Sequence, residues 1–237
     1  MLHVGNDIVD LTEPEAIGKF QDKRFIHRVF CENEQNIICA AAVPDRALWT
    51  LWAAKESAFK IYAKRTPNPA FSHRKFICLP RSAGDFSSKK QVLLTVDCPG
   101  ELSVDIQVKL RESCIHACGT AGGHGKSAQR WMLHGSERID QRRAESVTDD
   151  GLAQQFSAAE RISIQTPQSA QVRIALKQAL AAHQKTDTAR MQIIRPRQRG
   201  KPQPPYLLID DRPSPIDISL SHHGRWVAWC AGGRTSK

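Results

Sequence analysis

Aromatic residues are scarce, at 6% of 237 residues, and only two of them are tyrosines. With no zinc-finger spacing and no aromatic RNA-binding motif, the chain lacks what the common nucleic-acid readers share. Long apolar runs are missing too, so no membrane-spanning segment is expected. The first residues, MLHVGNDIVDL, hold neither a basic n-region nor a continuous apolar h-region. A signal peptide is therefore not expected, and the cytoplasm is the expected location. Nor do the cysteines form a framework. Cys31, Cys39, Cys78, Cys98, Cys114, Cys118 and Cys230 are odd in number and scattered, which fits free thiols in a reducing compartment. In CIHAC, a strand would turn Cys114, His116 and Cys118 to one face. Zinc generally takes four ligands with tighter paired spacing, so a half-buried strand is the simpler reading.

Acidic residues are in deficit. Twenty-four Asp and Glu against 34 Lys and Arg leave a formal charge of +10, which attracts polyanions such as nucleic acid, phosphorylated cofactors or acidic proteins. The basic residues are dispersed, so charge alone does not choose among these partners. GTAGGHGKS resembles a phosphate-binding loop, but Thr120 stands where that motif requires its first glycine. We read residues 123–127 as a glycine-rich linker.

Either side of that linker the pattern repeats in outline, giving two α+β halves at 1–122 and 128–237. Residues 1–11 read as a strand, 22–41 as a helical region, and 46–64 as an amphipathic helix after a Pro44-Asp45 turn with a candidate cap. FSHRKFICL, QVLLTV, LSVDIQVKL and CIHACG read as strands. In the second half RWMLH reads as a strand and 169–184 as a helix that corresponds to 46–64 without its Lys-Glu pair. MQIIR, YLLID, DISLS and RWVAWC read as strands, and RPRQRGKPQPP as an irregular basic loop.

WAAKESAFK, at 52–60, poses the chemical question. Leu48, Leu51, Trp52, Phe59 and Tyr62 make an apolar face, and Lys55 falls near its middle. A buried unpaired charge is costly, so this lysine needs a partner. Glu56 and Lys60 lie four apart on the edge of that face. As a surface pair they would contribute only about 0.2–0.5 kcal/mol. With Asp7 of GNDIVDL they make more sense. Asp7 and Glu56 supply two carboxylates for one Mg²⁺, which takes one or two such ligands and completes its shell with water and phosphate. Lys60 would lie beside that metal, and Lys201 and His222 add donors for further anionic oxygens. The sum is a site for a diphosphate.

GNDIVDL, RFIHRVF with an acid downstream, WAAKESAFK, GKP and SLSHHG together resemble the 4′-phosphopantetheinyl transferases. The resemblance covers about 60 residues in blocks spread from end to end, in the order found in the small acyl-carrier-protein synthase class. It implies transfer of phosphopantetheine from coenzyme A to a serine of an acidic apo carrier protein, with Mg²⁺ as cofactor. In that reading Asp7 and Glu56 bind the metal, Glu56 is the candidate base, and Lys60 faces the leaving phosphate. Lys55, Lys201, Ser221 and His222 are assigned to coenzyme A, Lys55 facing either phosphate or a nearby acid. Arg24 and Arg28 would dock the carrier. The chain is about twice the length of the small class, which implies a 4′-phosphopantetheinyl transferase-like α+β fold built as a single-chain pseudo-dimer. The alternative is one small-class subunit with an insertion at about 80–190. Val9 stands where the large class often has a second acid, and His223 where the family has Ser or Thr. The rival functions are another Mg²⁺-dependent phosphoryl or nucleotidyl transferase, a noncatalytic basic nucleic-acid-binding module, and a degenerate carrier-binding subunit.

Overall fold

The alternating residues at the start of the chain form strand β1 (His3–Asp10). The computed structural model describes residues 2–82, 84–121, 130–139 and 154–234, so the expected linker at 123–127 lies outside the described residues. Contacts divide the chain into two units, residues 5–121 and residues 1–4 with 122–237. The first four residues thus group with the second unit, where the Val4 N–H donates to the Asp217 carboxylate at 2.7 Å.

In the first unit the helical region at 22–41 is two helices, α1 (Lys23–Val29) and α2 (Glu32–Ala40). The Asp22 carboxylate caps α1 by accepting the Phe25 N–H at 3.0 Å. The chain then opens into extended backbone at Phe30 and Cys31 and restarts where the Glu34 carboxylate accepts the Cys31 N–H at 2.9 Å. Helix α3 (Pro44–Arg65) follows with Pro44 in its first turn, where a missing N–H costs nothing. The expected cap near Asp45 is not what forms. Asp45 lies inside the helix, and its carboxylate accepts the Gly18 and Phe20 N–H groups instead.

Four strands complete this unit: β2 (Ile77–Pro80), β3 (Gln91–Cys98), β4 (Leu102–Leu110) and β5 (Cys114–Ala121). They form an antiparallel meander, and β1 joins beside β5, giving the order β1-β5-β4-β3-β2. The register aligns Val92 with Val108, Leu94 with Ile106 and Val96 with Val104, all buried, and α3 packs on β3, β4 and β5. FSHRKFICL is not one strand. His73–Lys75 form a 3-10 turn and β2 begins only at Ile77. CIHAC is buried rather than half-buried, since every residue of β5 except Thr120 is buried.

The second unit contains β6 (Arg130–Arg138), the short helix α4 (Ala158–Arg161) and α5 (Pro167–Gln184). Strand β7 (Met191–Ile194) comes next. The basic segment expected to be irregular forms a small hairpin of β8 (Arg197–Gln198) and β9 (Lys201–Pro202). Its two turn residues, Arg199 and Gly200, both have positive φ, the geometry that matches the twist of paired strands. Then come β10 (Tyr206–Ile209), β11 (Arg212–Pro213), β12 (Asp217–His223) and β13 (Trp226–Arg234). Two three-stranded sheets result, ordered β11-β10-β7 and β12-β13-β6. Leu176 and Leu180 of α5 join Met191, Ile193, Leu207 and Ile218 in the core.

Each unit thus places its last strand between its first strand and the preceding one: β5 between β1 and β4, and β13 between β6 and β12. Among the described residues no helix is long and apolar enough to cross a membrane.

Candidate functional site

Lys55, Glu56 and Lys60 sit within six positions of α3, and the fold gives each a different neighbour. Lys55 is fully buried, and its Nζ donates to Glu34 Oε2 at 2.8 Å, to the His73 carbonyl at 3.0 Å and to the Phe76 carbonyl. An ammonium has three protons, and all three are engaged. Of the two partners expected for Lys55, phosphate or a nearby acid, the structure supplies the acid. The assignment to coenzyme A is therefore corrected, because a side chain with no exposed surface and no spare proton has nothing to offer a ligand. Glu34 is equally occupied, accepting the Cys31 and Cys78 N–H groups besides the lysine. Burial, and secondarily this carboxylate, push the Cys78 thiol well up.

Glu56 and Lys60 lie on the partly exposed edge of the same helix. Lys60 Nζ donates to Asp7 Oδ1 at 3.0 Å and to the Asn6 carbonyl at 2.6 Å. Gly5 makes this approach possible. A Cβ there would lie 2.1 Å from the Ser57 carbonyl oxygen and 2.9 Å from Ile61 Cγ1, so only glycine lets β1 lie this close to α3. Ser57 ties the other side of the helix down by donating to the Ala117 carbonyl of β5 at 3.1 Å. Asp7, Glu56 and Lys60 keep 13%, 22% and 28% of their side-chain surface exposed, enough to meet a ligand.

His73 is the neighbour the sequence did not reveal. Its Nε2 lies 3.1 Å from Glu56 Oε1. Its ring stacks on Trp52 at 4.2 Å and meets Phe71 at 4.0 Å. The only local sign was a histidine among aromatics in FSHRKF, which strand periodicity absorbed.

The other expected residues are placed as follows. Arg24 and Arg28 are exposed on α1, whose Phe25, Ile26 and Val29 are buried. In the second unit Lys201 is exposed on β9. Ser221 and His222 are consecutive on β12, paired with Ala228 and Val227, so their side chains point to opposite faces: Ser221 is buried and His222 exposed. Burial pushes the Cys114 thiol up to about 11, so it is not a ready metal ligand.

The donor set of the first unit fits a hard divalent cation. Asp7 and Glu56 offer oxygen ligands only and are partly exposed; Lys60 engages Oδ1 of Asp7, and His73 engages Oε1 of Glu56. Two partly exposed carboxylates match Mg²⁺, which takes one or two such ligands and leaves its other positions to water and phosphate.

The second unit repeats the buried lock of the first. Lys177 of α5 pairs with Glu160 at 2.7 Å, both nearly buried. Glu160 accepts the Ser157 N–H at 3.1 Å and the Ile193 N–H of β7 at 2.8 Å, as Glu34 accepts Cys31 and Cys78 of β2. Lys177 Nζ lies 5.0 Å from the centroid of the Phe156 ring, and Lys55 Nζ 5.5 Å from that of Phe30. Phe30 and Glu34 are four residues apart, as are Phe156 and Glu160. The lysine missing from the expected correspondence is therefore Lys177. The residue after it is Gln178, where α3 has Glu56, and Ala182 stands where α3 has Lys60.

Residues 3–106 match the family model described as the 4′-phosphopantetheinyl transferase superfamily, a span that includes Asp7, Glu34, Lys55, Glu56, Lys60 and His73. No curated protein matches the chain.

Proposed function

We propose that this chain, whose residues 3–106 carry the pattern of the 4′-phosphopantetheinyl transferase superfamily, is a holo-acyl-carrier-protein synthase-type enzyme. It transfers 4′-phosphopantetheine from coenzyme A to a serine of an acidic apo carrier protein and depends on Mg²⁺. The observation that carries this reading is the clustering of Asp7 with Lys60, and of Glu56 with His73, on the exposed edge of one helix inside the matched span.

In the reaction the serine Oγ attacks the β-phosphorus of coenzyme A. A P–O bond forms, the bond to the bridging oxygen breaks, and adenosine 3′,5′-bisphosphate leaves. Glu56 accepts the serine proton through its free oxygen, directly or through one water. Lys60, now held by Asp7, turns toward the leaving phosphate and stabilises its charge. Asp7 and Glu56 would hold Mg²⁺, which supplies charge neutralisation for the diphosphate. Lys201 and the exposed His222 are assigned to the nucleotide phosphates, and Ser221 stays with that segment. Arg24 and Arg28 are assigned to the acidic carrier. The seven free thiols fit a reducing cytoplasm.

We also infer that the two units are a duplicated pair, the pseudo-dimer, in which only the first keeps the catalytic edge. The shared strand order and the repeated Phe–Glu–Lys lock support this. Against an insertion at 80–190, β3, β4 and β5 supply three of the five strands of the first sheet.

The test is intact-mass measurement of a panel of apo carriers incubated with the protein, coenzyme A and Mg²⁺. The expected result is a gain of one phosphopantetheine that EDTA abolishes. An absence of both mass gain and coenzyme A binding would overturn the reading.

A further inference from the structure

We infer that His73 is a positioning residue for Glu56, fixing its carboxylate for metal binding and for proton acceptance. This rests on the transferase reading above.

Trp52, Lys55, Glu56 and Phe59 fall at i, i+3, i+4 and i+7, a single face of α3. Residues 71–76 cover that face, and His73 touches three of the four residues. Its ring stacks on Trp52 with an interplanar angle of 25°. Its carbonyl accepts Lys55 Nζ. Its Nε2 reaches Glu56 Oε1. Phe71 meets the same ring at 4.0 Å and is itself stacked on Phe59 at 4.1 Å. The residue is thus held at both ends, by a buried ammonium at its backbone and by two aromatic rings at its side chain. An ionised carboxylate only accepts, so the ring donates from Nε2 and occupies Oε1 alone. Oε2 stays available to a cation or to the serine proton. A glutamate has three side-chain torsions to order, and a clamped donor orders them before substrate arrives. The buried lock of Glu34 and Lys55 acquires a purpose in this arrangement: through the His73 carbonyl it sets where the imidazole stands, and the imidazole sets where Glu56 points.

Two substitutions separate the donor from the stack. His73→Phe keeps an aromatic ring against Trp52 and Phe71 and removes the donor. His73→Gln keeps a terminal N–H and removes the ring. Each is compared with wild type in two assays. One is transfer to a carrier, resolved into kcat and the carrier KM. The other is Mn²⁺ binding in the presence of coenzyme A, followed by electron paramagnetic resonance, with Mn²⁺ standing in for Mg²⁺.

The expected result for His73→Phe is a fall of about 10–100-fold in kcat and in Mn²⁺ affinity, with an unchanged carrier KM. For His73→Gln we expect values within about threefold of wild type, because the amide keeps the donor. Wild-type kcat and Mn²⁺ affinity in a folded His73→Phe variant would overturn the inference while leaving the transferase reading intact. So would a loss in His73→Gln alone, which would make the ring a packing element. If wild type neither binds coenzyme A nor modifies a carrier, the transferase reading fails and this inference fails with it. If wild type binds Mn²⁺ with coenzyme A but modifies no carrier tested, the Mn²⁺ affinities of the two variants decide.

Discussion

Lys55 and Glu56 are adjacent in sequence, and their substitution is expected to act in opposite ways, because one is buried and the other partly exposed. Lys55 is sealed against Glu34, so Lys55→Ala leaves a buried carboxylate with its cation gone. The expected cost is about 3–5 kcal/mol of folding free energy, and chemical denaturation checks it. Replacing both partners, as in Lys55→Met with Glu34→Leu, should not restore wild-type stability: the uncompensated charge is removed, but the Cys31 and Cys78 N–H groups and the His73 and Phe76 carbonyls lose their partners. Glu56 is partly exposed, and its one described side-chain partner is on the surface turn. Glu56→Gln should leave the denaturation midpoint unchanged and remove transfer, since the amide neither accepts the proton nor carries the charge that holds a cation. Residual turnover near wild type in a folded Glu56→Gln variant would remove Glu56 from the mechanism.

At the scale of elements, the site depends on how closely β1 lies against α3. Gly5 is the point of contact, and the obstruction to a larger residue is backbone, the Ser57 carbonyl, which cannot swing aside. Gly5→Ala should therefore cost about 1–3 kcal/mol and also weaken coenzyme A binding, because Asp7 is carried on the displaced strand. A melt and a binding titration on the same variant check both effects. Helix α1 makes a different contribution. Its apolar side joins the core, while Arg24 and Arg28 face outward. Arg24→Glu with Arg28→Glu should raise the carrier KM and reverse its salt dependence while kcat for a saturating carrier stays unchanged. An unaltered KM would show that the carrier docks elsewhere.

At the scale of the whole chain, the two units share a strand order and a buried lock but not the glutamate and lysine of the helix edge. Gln178 and Ala182 stand where the first helix has Glu56 and Lys60. One coenzyme A per chain is therefore expected, measurable by isothermal titration. A stoichiometry of two would mean that the second unit has a site of its own. The repeat also bears on Lys55. A lock found also where the next residue is a glutamine serves the fold rather than the chemistry directly. It anchors a helix to the first strand that follows it, Cys78 in one unit and Ile193 in the other.

Much of this was legible in the sequence, for a definite reason. Helix α3, α5 and strands β3, β4 and β12 follow from periodicity, which depends on neighbours a few residues away. Asp7, Glu56 and Lys60 stood out in the sequence as a candidate site because their residue types and spacing suit a metal diphosphate and resemble a known pattern, and the structure brings Lys60 to Asp7. What only the tertiary structure decided lies between residues far apart in the chain. Glu34 reaches Lys55 across 21 positions, His73 reaches Glu56 across 17, and Lys60 reaches Asp7 across 53. No local pattern reports such pairings, because each is set by the packing of separate elements. The sequence alone therefore determined which charges this helix carries. The packing of β1, α2 and the turn at 71–76 around it decided that one charge is buried for stability and the other two are left facing outward.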